Sequence, residues 1–167
     1  MKREMVLAAV LGSAGLLGGI AYAAFVLFTP DPTEKGRAVA DRISTTAGFG
    51  QVSPGDGANP SCHCVQRWFV GPGTVEPLSV FVAPDLRWKQ VQGVQETDGW
   101  LPLASATMPD ADGGSCHLSL AREEPEYAHG SLADEFGLSD DLASGWRRGT
   151  LVMLEVNVHC DGDTGGF

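Results

Sequence analysis

Basic residues are scarce in this sequence. It contains 11 Lys and Arg against 21 Asp and Glu, which gives a formal net charge of −10 at pH 7. Two of the basic residues, Lys2 and Arg3, lie at the very start, so the rest of the chain is more acidic still. Such a surface repels phosphate backbones, and we therefore expect no nucleic acid as a partner. The same repulsion argues against docking of the acidic part onto an anionic lipid surface.

The sequence also lacks the motifs that mark common enzyme and cofactor sites. It has no G-x-S-x-G nucleophile elbow, no H-E-x-x-H zinc motif, no P-loop and no G-x-G-x-x-G dinucleotide fingerprint. Two acidic pairs, Asp110 with Asp112 and Asp161 with Asp163, lack the distal glutamate that completes a calcium loop. We therefore predict no catalytic residue, no cofactor and no metal ligand set, although an enzyme with a dispersed site stays open.

One acidic cluster resembles acid–base machinery at first sight. Glu123, Glu124 and Glu126 lie close in sequence to Tyr127 and His129. Carboxylates and an imidazole at such spacing could exchange protons with a substrate. Because proline and glycine are interleaved with them, we interpret the segment as a solvated loop.

A long apolar run near the N-terminus is the most informative feature. Residues 5–28 carry no charged side chain, and at about 1.5 Å per residue a helix of this length spans about 36 Å, enough to cross a bilayer. Lys2 and Arg3 precede the run, and basic residues favour the cytoplasmic side. We therefore predict a cytoplasmic N-terminus at residues 1–4, a single-pass signal-anchor helix at 5–28 and an exported remainder.

A cleaved signal peptide is the alternative interpretation of the same run. Ala21-Tyr22-Ala23 has the small-x-small pattern of a cleavage site. The apolar stretch nevertheless continues to Phe28, beyond the point where a cleavable one ends. The uncleaved anchor is therefore favoured, and cleavage after Ala23 would instead give a secreted protein.

Residues 29–61 are predicted to form a helix and a flexible connector. Asp31 is expected to be the N-cap, followed by Pro32 at the first helical position and Glu34 as the capping-box acid. The helix is expected to run to about Ala47, and the glycine that follows favours its end. The connector then leads into a domain.

The domain is predicted to span residues 62–160, with a flexible tail at 161–167. Strands are expected at 62–70 and 78–83, joined as a hairpin by Gly71-Pro72-Gly73. Residues 84–114 are expected to be mostly irregular.

The second half of the domain shows clearer periodicity. A half-buried strand is expected at 116–122, a broken helix at 131–146 and the strongest strand at 150–160. The order of helices and strands indicates an α+β fold, with a largely antiparallel sheet of about four strands and helices on one of its faces. The strand order is left open.

The cysteines indicate disulfide bonds. Cys62, Cys64, Cys116 and Cys160 form an even set in an exported chain, which favours two bridges. Because Cys62 and Cys64 would share one face of one strand, a bond between them is expected to be strained. We therefore expect each of them to pair with Cys116 or Cys160.

Alternating strand directions would bring all four cysteines to one edge of the sheet. His63, His117 and His159 neighbour these cysteines, and they would point outward where the cysteines point inward. The same edge of the sheet would also carry four aspartates, namely Asp110, Asp112, Asp161 and Asp163. A divalent-metal site there is a hypothesis that competes with a cluster of solvated turns.

Together these features predict a membrane-tethered, extracytoplasmic binding or interaction module of unknown ligand. Its contacts would be the membrane through the N-terminal helix and an envelope protein as partner. The alternatives are a cell-envelope hydrolase with a dispersed site, and a domain that binds or senses a divalent metal.

Overall fold

A computed structural model of the protein describes residues 33–46, 48–52, 57–59, 61–92, 99–125 and 136–160. All of them belong to one compact unit of the chain. The predicted N-terminus at 1–4, the membrane span at 5–28 and the tail at 161–167 lie outside the described residues. Within the described ranges, no helix combines the length and apolar character that crossing a bilayer requires.

The described residues form an α+β domain made mostly of antiparallel strands, with helices and two disulfide bonds. A 3-10 turn at Pro77–Ser79 lies between the fourth and fifth strands. The helices and strands follow the chain in this order: α1 Glu34–Ala40, β1 Ser44–Thr45, β2 Gly50–Gln51, β3 Ala58–Asn59, β4 Cys64–Pro72, β5 Phe81–Val82, β6 Lys89–Gln90, β7 Trp100–Pro109, β8 Ser115–Glu123, α2 Asp140–Arg147 and β9 Leu151–Cys160.

The central sheet is larger than the four strands expected. Its order is β2-β4-β9-β8-β7-β6, with β3 also paired to β4. The four long strands β4, β9, β8 and β7 are mutually antiparallel and form its middle. The additional strands have two residues each, too short for a periodic pattern to show in the sequence.

Alternation along β9 defines the two faces of the sheet. Face A is the side to which β9 turns Val152, Leu154, Val156, Val158 and Cys160, and all five are buried. Face B is the opposite side, with Met153, Glu155, Asn157 and His159. Valine and leucine at every second position favour a strand with one side in the core, which explains why β9 was predicted correctly.

Face A carries the main core. Leu118 and Leu120 of β8 lie opposite Val158 and Val156 of β9, and Phe69 of β4 lies opposite Leu154. All of these side chains are buried in one cluster. Burial of such a layer is the dominant favourable term in the folding of a domain of this size.

Helix α1 covers face A but is shorter than predicted. It starts at Glu34, with Thr33 rather than Asp31 at the N-cap, and ends at Ala40 instead of Ala47. Val39 turns inward from the helix and is buried in the core. The helix ends early because Ser44 and Thr45, which favour helices poorly, form β1 and pair with β5.

The predicted hairpin of 62–70 with 78–83 is wrong. Strand β4 pairs with β9, β2 and β3, whereas β5 is a two-residue strand that pairs with β1. The segment Gly71-Pro72-Gly73 therefore ends strand β4 and does not form a hairpin turn, because the next strand does not pair with β4. The first part of the predicted strand 78–83 is replaced by the 3-10 turn, which begins at Pro77 because proline is tolerated at the first position of a helical turn.

The helices lie on opposite faces of the sheet, which corrects the expectation that they share one. Helix α2 places Trp146 against Met153 and Val70, and both of these belong to face B. It begins at Asp140, with Ser139 as N-cap accepting from the Leu142 N–H at 3.4 Å. Residues 131–135 of the predicted helix lie outside the described residues.

The region 84–114, expected to be irregular, contains the ten-residue strand β7. Ala104, Ala106 and Met108 are buried on face A, and they alternate with exposed Ser105 and Thr107. Two prolines and a register shift near residue 103 hide this period in the sequence. Ala104 and Ala106 mark the buried side of this strand, but such small residues give a weak strand pattern in the sequence.

Candidate functional site

The cysteines gather at one end of the sheet, as predicted. The starts of β4 and β8 and the end of β9 meet there, because β9 runs antiparallel to both neighbours. Cys116 lies directly opposite Cys160, and the two form a cross-strand disulfide on face A. All four cysteines are oxidised, so the chain has no free thiol.

The expected cross-pairing is nevertheless wrong, because Cys62 bonds to Cys64. Strand β4 begins only at Cys64, and Cys62 precedes it in a turn. His63 adopts a φ of 49° there, which bends the chain. In an extended strand the Cα atoms of Cys62 and Cys64 would lie about 6.6 Å apart. The turn brings them to 5.1 Å, well within disulfide range.

The histidines next to these cysteines only partly follow the prediction. His117 and His159 lie opposite each other on face B, while the neighbouring cysteines turn to face A. His63 is in the turn instead of a strand.

Within the part of the chain that the structure describes, the acidic groups expected beside these histidines do not complete a metal site. Asp110 is buried and accepts hydrogen bonds from the backbone N–H groups of Asp112 at 2.9 Å and Gly114 at 2.7 Å, so it stabilises its own turn. Asp161 and Asp163 lie outside the described residues. Among the side chains that the structure describes, no group of three or more His, Cys, Asp or Glu could hold a metal ion.

The acidic segment interpreted as a solvated loop contains a buried carboxyl, that of Glu123. Glu123 is the last residue of β8 and is only 3% exposed. Its side chain lies on face B, opposite Met153. The interpretation as a loop is therefore wrong for Glu123, because the strand extends one residue beyond the predicted 116–122. Glu126, Tyr127 and His129 lie outside the described residues.

Two tryptophans explain why acidic groups are buried on face B. Trp100 of β7 lies opposite Glu123, and Trp68 of β4 lies opposite Glu155 of β9. Strands β4 and β7 are separated by β9 and β8, a distance of about 14 Å at the usual strand spacing. Their ring centroids are nonetheless 4.7 Å apart, so the two side chains reach across the intervening strands. We call Trp68 and Trp100 the tryptophan bridge.

Burial perturbs both glutamates. Burial, and then the charges of Glu155 and Glu124, raise the pKa of Glu123 to about 7. Burial likewise raises the pKa of Glu155 to about 7, although a 3.0 Å hydrogen bond from Gln66 Nε2 opposes that shift. At neutral pH each site is therefore divided between the acid and the carboxylate.

Glu123 opens into a cleft of about 210 Å³. The cleft lies between the end of β8, helix α2 and the start of β9. Its described lining residues are Gly73, Arg122, Glu123, Glu124, Pro125, Trp146, Gly149, Leu151 and Val152. It therefore combines apolar walls with a few polar groups, as small-ligand sites do.

Two of the residues that line the cleft each carry a buried polar atom without a hydrogen bond. Within the described structure, neither Glu123 Oε2 nor Trp146 Nε1 has a hydrogen-bond partner. Trp146 is 1% exposed, so water does not readily compensate its N–H. An unsatisfied buried polar group costs about 1–3 kcal/mol, and native proteins rarely keep one without a reason.

Sequence reasoning identified Glu123 but misjudged its environment. The alternation Cys116, Leu118, Leu120 continues to Arg122 and places Glu123 on the opposite face, so it gives no signal that Glu123 is buried. Glu155 lies on the side of β9 opposite the core face, as the alternation along this strand requires. The tryptophan bridge joins residues 32 positions apart on nonadjacent strands, and such a contact leaves no local sequence signal.

No family model matches this chain, and neither the curated proteins nor the solved structures compared with it contain a match. Its function is therefore inferred from the chemistry of its own residues.

Proposed function

We propose that this protein is a membrane-tethered, extracytoplasmic binding module whose ligand occupies the Glu123 cleft. The uncharged run at 5–28 serves as the anchor, with Lys2 and Arg3 on the cytoplasmic side. Two disulfide bonds support an oxidising compartment for the domain, since such bonds are rare in the cytosol.

The unpartnered carboxyl of Glu123 is the observation that carries the binding function. A buried acid that serves only stability has partners for its charge, as Asp110 has: its Oδ1 accepts two backbone hydrogen bonds of the turn, and its Oδ2, although it has no hydrogen bond, lies 3.5 Å from Lys35 Nζ. Among the described residues, Glu123 Oε2 has none, although the side chain is almost fully buried beside a cleft. A bound ligand would supply the missing partner.

Topology is tested by a reporter fused after Phe167 and by carbonate extraction. We expect reporter activity only outside the cytoplasm and retention of the protein in the membrane fraction. A soluble product that begins at Ala24 would show a cleaved signal peptide instead of an anchor.

Ligand capture is tested by placing a photo-crosslinking amino acid at Pro125, which lines the cleft. The matched control carries the same group at Glu34, which is exposed on α1 over the other face of the sheet. We expect irradiation of native membranes to give an adduct at position 125 that is absent at position 34. Equal labelling of both positions would argue against a specific site.

A hydrolase is the second candidate, and the glutamate pair supports it. Glu123 and Glu155 lie on neighbouring strands of face B, two residues out of register, and both have a pKa of about 7. A carboxyl that is protonated at neutral pH is suited to general acid catalysis, and pairs of carboxyls cleave glycosidic bonds. Turnover of an envelope glycan that is lost in both Glu123→Gln and Glu155→Gln would favour the enzyme over the binding module.

A further inference from the structure

The two histidines at the cysteine end of face B are placed to share a ligand. His117 of β8 lies directly opposite His159 of β9, and both side chains belong to the same face of the sheet. His117 is exposed and His159 is half-buried, so both imidazoles can be reached from solvent. Side chains that face each other across two strands in this way are close enough to act on one bound ion together.

The neighbouring disulfide defines the spacing of this pair. The Cα atoms of Cys116 and Cys160 are only 3.8 Å apart, as in the narrow, non-hydrogen-bonded kind of antiparallel pair. Narrow and wide pairs alternate, so His117 and His159 form a wide pair with Cα atoms about 5.5 Å apart. A metal ion bound at about 2.0–2.1 Å by each imidazole brings the two nitrogens to about 3–4 Å from each other. The rings therefore need only lean slightly toward one another.

The same disulfide fixes the two strands at this point. It joins the residue before His117 to the residue after His159. Ligands held on rigid, crosslinked strands lose less conformational freedom on binding an ion than ligands on mobile loops. Because the chain has no free thiol, no cysteine competes with the imidazoles for the ion.

The surroundings of the pair suit a hydrated cation. Its described neighbours on face B of β7, β8 and β9 are small and uncharged, namely Thr107, Ser115, Ser119 and Asn157. Two cationic residues, Arg87 and Lys89, line the same open hollow as His117. Lys89 belongs to β6, which β7 separates from β8, so its strand lies about 9–10 Å away, where water and salt screen the repulsion. The net charge of −10 attracts cations to the molecule as a whole.

We propose that His117 and His159 together bind one divalent transition-metal ion, with Cu²⁺ preferred. Imidazole is a good ligand for copper and zinc, and Cu²⁺ stands above Zn²⁺ in the general order of affinities. Among the described residues, no further His, Cys, Asp or Glu joins the pair, so the ion keeps positions for water or for a donor atom of a second molecule. The site lies about 20 Å along β8 from Glu123 and does not depend on the proposed ligand cleft.

The test uses the full chain, with its disulfides intact, in nanodiscs of phosphatidylcholine. Calorimetric titration with copper chloride measures affinity and stoichiometry, and electron paramagnetic resonance of the bound Cu²⁺ counts its imidazole ligands. We expect one Cu²⁺ per chain with two coordinated imidazoles. Zn²⁺ should bind at least about tenfold more weakly. Ca²⁺ and Mg²⁺ prefer oxygen ligands and should give no measurable binding.

Matched variants show which histidines are responsible. His117→Ala and His159→Ala should each weaken copper binding by at least about tenfold and leave one imidazole in the spectrum. His63→Ala removes a histidine from the turn at the same end of the sheet and should change neither result. Thermal unfolding of each variant shows whether it remains folded, and His159→Gln repeats the test at this half-buried position if the alanine variant unfolds.

Several outcomes would overturn the proposal. No copper binding to the wild type at micromolar concentration, or a spectrum with a single imidazole, would mean that there is no shared site. Unchanged affinity in either folded variant would remove that histidine from the site. Two ions per chain in the wild type and one in each variant, at equal affinity, would show that the histidines bind separate ions. A loss in His63→Ala as large as that in His117→Ala would move the site to the turn, and zinc binding as tight as that of copper would refute the preference.

Discussion

Face A of the sheet buries the larger apolar layer, which Arg67 and Arg122 interrupt, whereas face B of the same strands carries glutamates, histidines, serine and asparagine beside a smaller apolar cluster. The register makes the contrast direct: Leu120 packs against Val156 on face A, and one residue earlier Ser119 lies opposite Asn157 on face B. Alternate residues of one strand therefore serve different purposes. Face A holds most of the apolar core, and face B combines the smaller cluster around Trp146 with polar groups that stability alone would not select.

The contrast is strongest at the ends of face B. Near the start of β9 the tryptophan bridge and Trp146 cover Glu123 and Glu155, while near its end His117 is open to solvent. Both ends are polar, but only the end near the start of β9 has its polar groups shielded from water. Buried, incompletely satisfied polar groups are where we expect function, because they are destabilising in the absence of a ligand.

The largest expected effect comes from the disulfide on face A. Cys116 and Cys160 close a loop of 44 residues, whereas Cys62 and Cys64 are 2 apart. Chain entropy then predicts that replacing both Cys116 and Cys160 by alanine lowers the free energy of unfolding by about 4 kcal/mol. The double alanine variant at Cys62 and Cys64 should lose less than about 2 kcal/mol. Urea unfolding followed by tryptophan fluorescence measures both, and equal losses would contradict the loop-length argument.

The next effect tests the two faces within one strand. Leu120→Ala removes a fully buried side chain from the face A core and should cost about 3 kcal/mol of unfolding free energy. Ser119→Ala, at the adjacent exposed position on face B, should stay within about 0.5 kcal/mol. A Ser119 variant as unstable as the Leu120 variant would show that face B carries stability too.

The part of the fold visible in the sequence is the part built on face A. Strands β8 and β9 were predicted nearly to the residue, because apolar residues at every second position mark a strand half buried in a core. The convergence of the cysteines followed from the antiparallel order. Strand β7 was missed because alanines and prolines weaken the same pattern.

The candidate site was only partly accessible from the sequence. Glu123 was named from the sequence, but the shielding of Glu123 and Glu155 depends on Trp68 and Trp100 meeting across two intervening strands. The disulfide pairing failed for a local reason, since the left-handed φ of His63 is unusual for a residue other than glycine. Long-range contacts and rare backbone conformations are what periodicity does not encode.

The pH dependence of stability tests the end of face B that contains Glu123 and Glu155. Folding raises the pKa of Glu123 and Glu155 from 4.5 to about 7, so between these values the folded state binds more protons than the unfolded state. Stability from these groups is therefore complete below about pH 4.5 and is lost as pH rises through 7.

We expect the free energy of unfolding to fall by at least about 1 kcal/mol between pH 5 and pH 7.5. Glu123→Gln should flatten this slope, and Glu34→Gln should leave it unchanged. Stability that rises over the interval would show that the glutamates are not buried as acids.

The smallest expected effect lies at the open end of face B, one residue along the chain from the largest. Cys116 and Cys160 face each other across β8 and β9 on face A, and His117 and His159 do the same on face B. His117 is exposed, so His117→Ala should change the free energy of unfolding by no more than about 0.5 kcal/mol. The metal-site hypothesis makes a further demand, namely that micromolar zinc raises the unfolding temperature of the wild type but not of His117→Ala. A loss comparable with that of Leu120→Ala in the absence of metal would mean that the two faces do not differ as proposed, because a solvent-facing imidazole has no apolar layer to lose.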